Sequence, residues 1–416
     1  PASLKRTMAD TTRILVDLVR LPSVNPMGRP LTGPEYLEGR VTDYLVDRLT
    51  KAGLNPVRQT VSPGRDNVVV TLPATMPGSP VFLWDAHQDT VPVDGMRIKP
   101  FVPVIENGHL YGRGSCDVKG GMAAMISAIE QLSVLETRPA SVVFVASVNE
   151  EFGFSGAKAF TKLLHPNDSE SNNEGDDAAK ESVQKVLLEG FNLVVVAEPT
   201  SLRLVTQHKG AVRWRMKVCG RSCHSSYPEN GVNAIYSASR VALLLESLAT
   251  DLSLRETSHP CGGPTLSVGT IHGGMGVNLV PDSVVLEVDR RLVPGEDPLT
   301  ARREVMDYIS AHCPTDIIEH EKPFLASAGL SNEGVGAAEA AARLRKAVAD
   351  TGVEAIEEVA RYGTNACVYA EAGLPCVVFG PGSIAQAHTT DEWINLGEVE
   401  KAAEILKDLV VGAAGR

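Results

Sequence analysis

Four short apolar runs constrain the fold of this chain more than any other feature. They occupy residues 81–83, 141–148, 193–197 and 374–379 and are dominated by valine and other apolar residues. Uninterrupted apolar runs of this length are typical of strands buried on both faces of a parallel sheet. We therefore predict an α/β fold built on a mixed, mostly parallel sheet.

The sequence pattern changes near residue 206. Val212, Trp214, Met216 and Val218 alternate with polar residues, which predicts an antiparallel strand with one exposed face. The segments that follow predict the order β-α-β-β-α-β, the split ferredoxin-like unit. A chain of 416 residues is too long for one core. We predict an inserted α+β domain, residues 206–321, within a first domain formed by residues 1–205 and 322–416.

Charge and cysteine content limit the partners and the compartment. A net charge of −12 argues against nucleic acid and anionic membranes as partners. No apolar run reaches the length of a membrane span, and the first residues lead into an amphipathic helix instead of a signal peptide. Seven cysteines, an odd number in a long chain, favour a reducing compartment, so we expect a cytoplasmic protein.

His87 and Asp89 directly follow the first apolar run. An imidazole and a carboxylate two residues apart suit a metal ligand and the acid that orients it through the second ring nitrogen. The alternative is an exposed histidine beside a turn-forming aspartate. This stretch alone leaves both interpretations open.

Further acids and a histidine follow the other apolar runs. Because the carboxyl ends of parallel strands meet at one edge of a sheet, we expect these side chains to converge there. Two histidines and several carboxylates without cysteine suit zinc or another divalent ion, whereas the same acids without a cation would repel one another and take up protons. The residues at strand ends are His87, Asp89, Glu150, Glu151, Glu198 and His388.

A glycine-rich loop, residues 111–121, contributes one more acid. It lacks the GK[ST] of a P-loop, and Asp117 stands where a phosphate would bind. We therefore interpret Asp117 as an acid that a tight turn presents at the start of a helix. Residues 166–185, in contrast, are polar and acidic, and we interpret them as a mobile surface insertion without chemistry.

The number of candidate ligands fits two metal ions. Two ions need one bridging carboxylate and about two further ligands each. Asp117 is the natural bridge, His87 and one carboxylate serve one ion, and His388 and another carboxylate serve the second. One acid of the Glu150-Glu151 pair is then left as a general base, although the residues alone do not decide which.

These motifs resemble the M20 metallopeptidase family, in order and over nearly the whole chain. That family includes acetylornithine deacetylase, succinyl-diaminopimelate desuccinylase, aminoacylase and glutamate carboxypeptidase. The motifs are His87-x-Asp89-Thr-Val-Pro92, Gly112-Arg-Gly-x-x-Asp117-x-Lys-Gly-Gly121, Asn149-Glu-Glu151-x-Gly153, Ala197-Glu-Pro-Thr200 and His388-Thr-x-Asp391-Glu392.

The resemblance implies a site with two Zn²⁺ ions per chain, for which Co²⁺ or Mn²⁺ could substitute. His87 and Glu198 would bind one ion, Glu151 and His388 the other, and Asp117 both. The resemblance also implies Glu150 as the base, Asp89 as the acid that orients His87, and a cis peptide bond at Asp117–Val118. A glutamate at the position of Glu198 goes with deacylases and carboxypeptidases more than with aminopeptidases.

The inserted domain resembles the family's lid, which also carries the dimer contact. The resemblance therefore implies a homodimer in which His224 stabilises an oxyanion in the neighbouring subunit's site. Asn278 and Arg290 match lid positions used for the substrate carboxylate, and Arg361 and Thr364 match a loop that completes this pocket. The family's loop is of the Gly-Thr-Asp-Ala type, whereas this chain has Asn365 in place of the aspartate.

The function expected from this resemblance is hydrolysis of the amide bond of an N-acyl amino acid or short peptide. A deacylase is the first interpretation, and a carboxypeptidase or dipeptidase is the second. A binding protein that has lost catalysis is a third, although this chain lacks neither the ligands nor the base. A structural subunit has no support in the sequence.

Overall fold

The computed structural model describes residues 2–164, 174–187, 190–255 and 259–415. The chain forms two compact units. The first unit comprises residues 1–206, 332–358 and 364–416, and the second comprises residues 207–331 and 359–363. Both units combine helices with sheets, as predicted for a mixed α/β fold.

The helices of the described residues are, in chain order, α1 (Ala2–Val19), α2 (Gly39–Lys51), α3 (Gly120–Ser133), α4 (Glu150–Gly153), α5 (Ser155–Leu163), α6 (Glu174–Gln184), α7 (Ala234–Leu254), α8 (Pro298–His312), α9 (Ala337–Asp350), α10 (Ala366–Glu371) and α11 (Leu396–Val411). Ser115–Lys119 form a turn whose backbone is not helical at Asp117 and Val118, and short 3₁₀ turns cover Pro228–Asn230 and Gly412–Gly415. None of the described helices has the length and apolar character needed to cross a bilayer.

The strands are β1 (Val57–Ser62), β2 (Arg65–Leu72), β3 (Val81–His87), β4 (Val104–Glu106), β5 (His109–Tyr111), β6 (Ser141–Ser147), β7 (Leu193–Val196), β8 (Leu204–His208), β9 (Gly210–Cys219), β10 (Cys223–His224), β11 (Thr265–Gly273), β12 (Leu279–Val280), β13 (Ser283–Leu292), β14 (Ile317–His320), β15 (Leu325–Ser327), β16 (Glu357–Ala360), β17 (Cys376–Val378) and β18 (Trp393–Asn395).

The main sheet has the strand order β1-β2-β6-β3-β7-β17-β8-β16. Its centre is parallel, because β3 pairs with both β6 and β7, and β17 continues from β7. The four apolar runs form β3, β6, β7 and β17, and every residue of these strands is buried. The prediction of a mostly parallel central sheet is confirmed.

Helix α3 is buried along almost its whole length, from Gly120 to Leu132. It packs against β3 and β6 on one side and against α1 and α11 on the other. A helix enclosed in this way needs apolar residues all around, which explains why its sequence lacks a polar face. The turn that precedes α3 carries Asp117, so this packing fixes where that acid emerges.

In the second unit, β9, α7, β11, β13, α8 and β14 follow one another in the predicted β-α-β-β-α-β order. The sheet has the order β11-β13-β9-β14, and alternate residues of β9 and β13 are buried. The unit extends to residue 331, beyond the predicted boundary at 321, because β15 pairs with β9.

Part of the acidic segment 166–185 is regular. Helix α6 lies against β1 and β2, with Ala179 and Val183 buried. The Ser182 and Thr71 hydroxyls are 2.9 Å apart. The interpretation of these residues as a mobile insertion is therefore wrong for residues 174–184, because two buried apolar residues one turn apart anchor a helix. Residues 166–173 lie outside the described ranges.

Candidate active site

The ends of three adjacent strands create the site. His87 is the last residue of β3, opposite Ser147 at the end of β6. Glu150 and Glu151 follow β6, and Glu198 follows β7. Because these strands are parallel, their carboxyl ends lie on one edge of the sheet, as the sequence predicted.

Asp117 lies between two histidines. Its Oδ1 is 3.2 Å from His87 Nε2, and its Oδ2 is 3.2 Å from His388 Nε2. The peptide bond between Asp117 and Val118 is cis, as the resemblance implied. Burial would raise the pKa of Asp117, but hydrogen bonds from His388 and His87 hold that pKa below its usual range. The carboxylate therefore has one oxygen directed at each histidine.

Asn149 makes the turn that directs Glu150 and Glu151. It adopts the left-handed conformation, φ 60° and ψ 38°, which asparagine tolerates better than most residues. The Asp89 carboxylate accepts the main-chain N–H groups of Glu150 (3.1 Å) and Glu151 (3.2 Å) and the Asn25 amide (2.7 Å). Asp89 thus fixes the backbone of both glutamates.

The contact between Asp89 and His87 differs in detail from the expected one. His87 Nδ1 donates to the main-chain carbonyl of Asp89 at 2.8 Å, whereas the carboxylate Oδ1 is 3.7 Å away. The carboxylate is instead directed at the turn that begins at Glu150. The carbonyl still fixes the imidazole so that Nε2 points into the site.

His388 approaches the cluster from a loop and is the most exposed of these groups. Its Nε2 is 3.4 Å from Glu151 Oε2. The side chain of His388 is 55% exposed, whereas that of Glu151 is 7% exposed. The hydrogen bonds that His388 donates to Asp117 and Glu151 raise its pKa to about 11. Two carboxylates therefore face this imidazole, an arrangement that favours positive charge at this place.

The environment of the remaining acids disfavours their charged form. Burial raises the pKa of Glu150 and, together with Asp117, raises the pKa of Glu151 and of Glu198. Such a group of buried carboxylates is stabilised by cations. The electrostatics therefore favour bound positive charge at this place.

The donor atoms fit a metal site. One ligand atom from each of His87, Asp117 and Glu151 lies within 4.8 Å of the others. Glu151 Oε1 is buried without a hydrogen-bond partner in the described structure. Neutral imidazole and carboxylate ligands suit zinc and similar divalent ions.

Glu392 is a buried residue of this region. The sequence placed it in a motif but did not predict its structural role. Its carboxylate accepts the main-chain N–H groups of Gly114 (3.0 Å), Cys116 (2.9 Å) and Asp117 (3.0 Å). It also pairs with the Arg113 guanidinium at 2.7 Å. The sequence signal was weak, since an acid before a short strand is ordinarily exposed.

The other predicted site residues divide between the two units. In the second unit, His224 lies opposite Leu279, where β10 pairs with β12. The main-chain N–H of Ser225 donates to the Asn278 carbonyl at 3.1 Å. His224 and Asn278 are therefore neighbours, and both are exposed. Arg361 is exposed, whereas Thr364, in the first unit, is buried.

Arg290 is buried and does not line an open cleft within the second unit. Its side chain is fully buried, and Nη2 pairs with Glu296 Oε1 at 2.8 Å. A second guanidinium nitrogen donates to the main-chain carbonyl of Arg291. Within the second unit the Arg290 guanidinium is therefore already neutralised, and its expected role toward a substrate carboxylate stays a prediction.

Comparison with known proteins identifies the family of this chain. The family model described as Peptidase family M20/M25/M40 matches residues 83–411. A protein of Emericella nidulans named "Probable carboxypeptidase" is 30% identical over 420 residues, which cover 96% of this chain and 88% of that protein. An acetylornithine deacetylase of Myxococcus xanthus is 28% identical over 381 residues, covering 90% and 92% of the two chains.

A solved structure shows the same fold. The M20 family metallo-carboxypeptidase Sso-CP2 of Sulfolobus solfataricus matches with a TM-score of 0.72 and 17% sequence identity, over 96% of this chain and 98% of its own. The family match covers far more than half of the chain. The chain belongs to Peptidase family M20/M25/M40 and is a hydrolase that acts on carbon–nitrogen bonds.

Proposed function

We propose that this protein binds two zinc ions and hydrolyses the amide bond of an N-acyl amino acid. The observation that carries the proposal is the position of Asp117, with one carboxylate oxygen 3.2 Å from His87 and the other 3.2 Å from His388. A carboxylate placed in this way can bridge two ions.

The remaining ligands are assigned by proximity and chemistry. Glu151 joins His388, which it contacts at 3.4 Å. The assignment of Glu198 to the ion of His87 follows the family resemblance. When bound, the two ions would polarise the substrate carbonyl and make a water molecule more acidic.

Glu150 is the acid left for proton transfer. Burial raises its pKa, which makes the carboxylate a stronger base than an exposed glutamate. Glu150 takes a proton from the attacking water as the oxygen bonds to the carbonyl carbon. It then gives this proton to the leaving nitrogen as the carbon–nitrogen bond breaks. Asp89 positions Glu150 by accepting its main-chain N–H at 3.1 Å.

The substrate carries a free carboxylate in this proposal. Following the family resemblance, we propose that exposed Arg361 contacts this carboxylate. The roles of Asn278, Arg290 and Thr364 toward it stay predictions from the same resemblance. The acetylornithine deacetylase of Myxococcus xanthus supports the choice of an N-acyl amino acid, at 28% identity over 90% of the chain.

A carboxypeptidase is the second candidate, because the Emericella nidulans relative at 30% identity bears that name. A release assay on acetylornithine, succinyl-diaminopimelate, acyl-glutamate and dipeptides, after zinc loading, separates the two. We expect release of the acyl group from at least one of the first three. Cleavage of dipeptides alone would favour the carboxypeptidase, and inactivity on the whole panel would contradict both.

The second unit supports a homodimer with shared sites. Strand β11 is at the edge of its sheet, and exposed apolar residues lie on it and on α7, among them Tyr236, Leu243 and Ile271. We propose that this surface pairs with a second copy and that His224 then acts in the site of the neighbouring chain.

The compartment and the other partners follow from composition. All seven cysteines are free thiols, which fits a reducing compartment, and we propose the cytoplasm. The net charge of −12 supports a small-molecule substrate, and we propose neither a nucleic acid nor a membrane as a partner.

A further inference from the structure

A group of four buried polar side chains surrounds Asp85, which lies in β3 two residues before His87. Asp85, Ser147, Asn365 and Tyr369 all have 0% exposure. A carboxylate is rarely buried to this extent unless hydrogen bonds satisfy it. We call these four residues the Asp85 cluster.

Within the cluster, the Asp85 carboxylate accepts all of its hydrogen bonds. Oδ1 accepts from Asn365 Nδ2 at 3.0 Å and from the Ser147 hydroxyl at 3.2 Å, and Oδ2 accepts from the Tyr369 hydroxyl at 2.7 Å. Asn365 Nδ2 also donates to the Ser147 oxygen at 2.9 Å. Residue 365 therefore donates to both Asp85 and Ser147, whereas an ionised aspartate at this position could only accept.

The cluster joins the segments that carry the candidate active-site residues. Asp85 shares β3 with His87, and Ser147 ends the strand that leads to Glu150. Asn365 directly follows Thr364 in the chain, and the main-chain carbonyl of Asp85 accepts from Ala197, the residue before Glu198, at 2.8 Å. A displacement of Asp85 would therefore move several parts of the site together.

We propose that Asp85 is a positioning residue and that Asn365 is its matched donor, so that the pair fixes the Thr364 loop against the strand ends. The pairing gives Asn365 a donor role at the position where the family pattern has aspartate. The catalytic consequence rests on the proposed function, whereas the pairing itself does not.

An exchange of the two residues tests the proposal. Asp85→Asn and Asn365→Asp each remove donor–acceptor complementarity, and we expect each to lower kcat by at least about tenfold, since small displacements of catalytic groups are costly. The double variant exchanges carboxylate and amide and should recover to within about threefold of the wild type. The measurements are kcat, KM, the zinc dissociation constant and the midpoint of thermal unfolding.

Asn395→Asp is the matched control, because Asn395 caps α11 through an acceptor oxygen that aspartate retains. Tyr369→Phe removes a single donor and should lower kcat in the same direction if a single exchange variant does not fold. Single variants that lose thermal stability but keep kcat and KM would overturn the positioning role, and a double variant no better than the worse single would overturn the pairing.

The two hypotheses fail differently. A wild-type protein that cleaves nothing in the substrate panel would contradict the proposed function. The zinc dissociation constant would then test the pairing. Each single variant should raise it, and the double variant should restore it. An unchanged zinc dissociation constant in both single variants of an inactive protein would overturn the inference.

Discussion

The carboxylate of Glu392 accepts the main-chain N–H of Asp117 at 3.0 Å, although 275 residues separate them in the chain. The same carboxylate accepts from Gly114 and Cys116, so one buried acid holds the turn that presents the bridging ligand. Arg113 balances its charge. The turn is thereby fixed before any cation arrives, which lowers the cost of ordering the site.

Replacement of Glu392 by glutamine should weaken this turn. The amide would direct N–H groups at main-chain N–H groups, and a buried donor left without an acceptor costs about 1–3 kcal/mol. We expect a loss of that size in the free energy of unfolding, measured in urea, and a lower zinc affinity. Glu404→Gln on the exposed face of α11 is the control, and equal effects of both changes would contradict the role of Glu392.

Glu150 and Glu151 should respond oppositely to amide substitution. Glu150→Gln should retain its metal and lose about 10²–10⁴ in kcat, because the proton acceptor is gone. Glu151→Gln should lose metal, since the amide is a poorer ligand beside His388. Metal analysis of the purified variants together with kcat measures both. Near-normal turnover of Glu150→Gln would show that another group is the base.

His224 should act across a dimer. His224→Ala should lower kcat while leaving the metal content unchanged, because exposed His224 lies in the second unit and the metal cluster lies in the first. Chains with His224→Ala mixed with chains with Glu150→Ala should regain part of the activity, since each mixed dimer then has one complete site. Failure of the mixture to exceed either variant alone would contradict shared sites.

His208 should make the protein less stable in mild acid. Burial lowers its pKa to about 4, whereas the unfolded value is about 6.5. Between these values the unfolded chain binds the proton and the folded chain does not, so stability falls as the pH falls from about 6.5 to about 4. The contribution is about 3 kcal/mol in total.

The comparison of His208→Gln with the wild type measures this effect. The difference in unfolding free energy between pH 7 and pH 4.5 should be smaller in the variant, because glutamine does not titrate. Urea unfolding at both pH values gives the two differences. Identical pH dependence of variant and wild type would show that His208 is not responsible.

Local pattern was sufficient to predict the strands and the acids at their ends. The uninterrupted apolar runs of β3 and β6 could be buried in few other ways, and parallel pairing then brings His87 and Glu150 to one edge. The alternation in β9 likewise predicted a half-exposed antiparallel strand. These features depend on neighbours within a few residues.

The rest depends on contacts between distant residues. Glu392 lies 275 residues from Asp117, and Asn365 lies 280 residues from Asp85, so no local pattern marks these contacts. The Asp89 carboxylate was assigned to His87 by spacing, but the turn at Glu150 competes for it. Helix α6 was missed because its acidic composition outweighed the two apolar residues, Ala179 and Val183, that anchor it.

Anomalous X-ray scattering at the zinc edge from zinc-loaded crystals tests the central claim most directly. We predict two peaks per chain about 3.5–4 Å apart, one on each side of the Asp117 carboxylate. One peak should be within bonding distance of His87 and the other within bonding distance of His388. A single peak, or peaks remote from Asp117, would contradict the two-metal site.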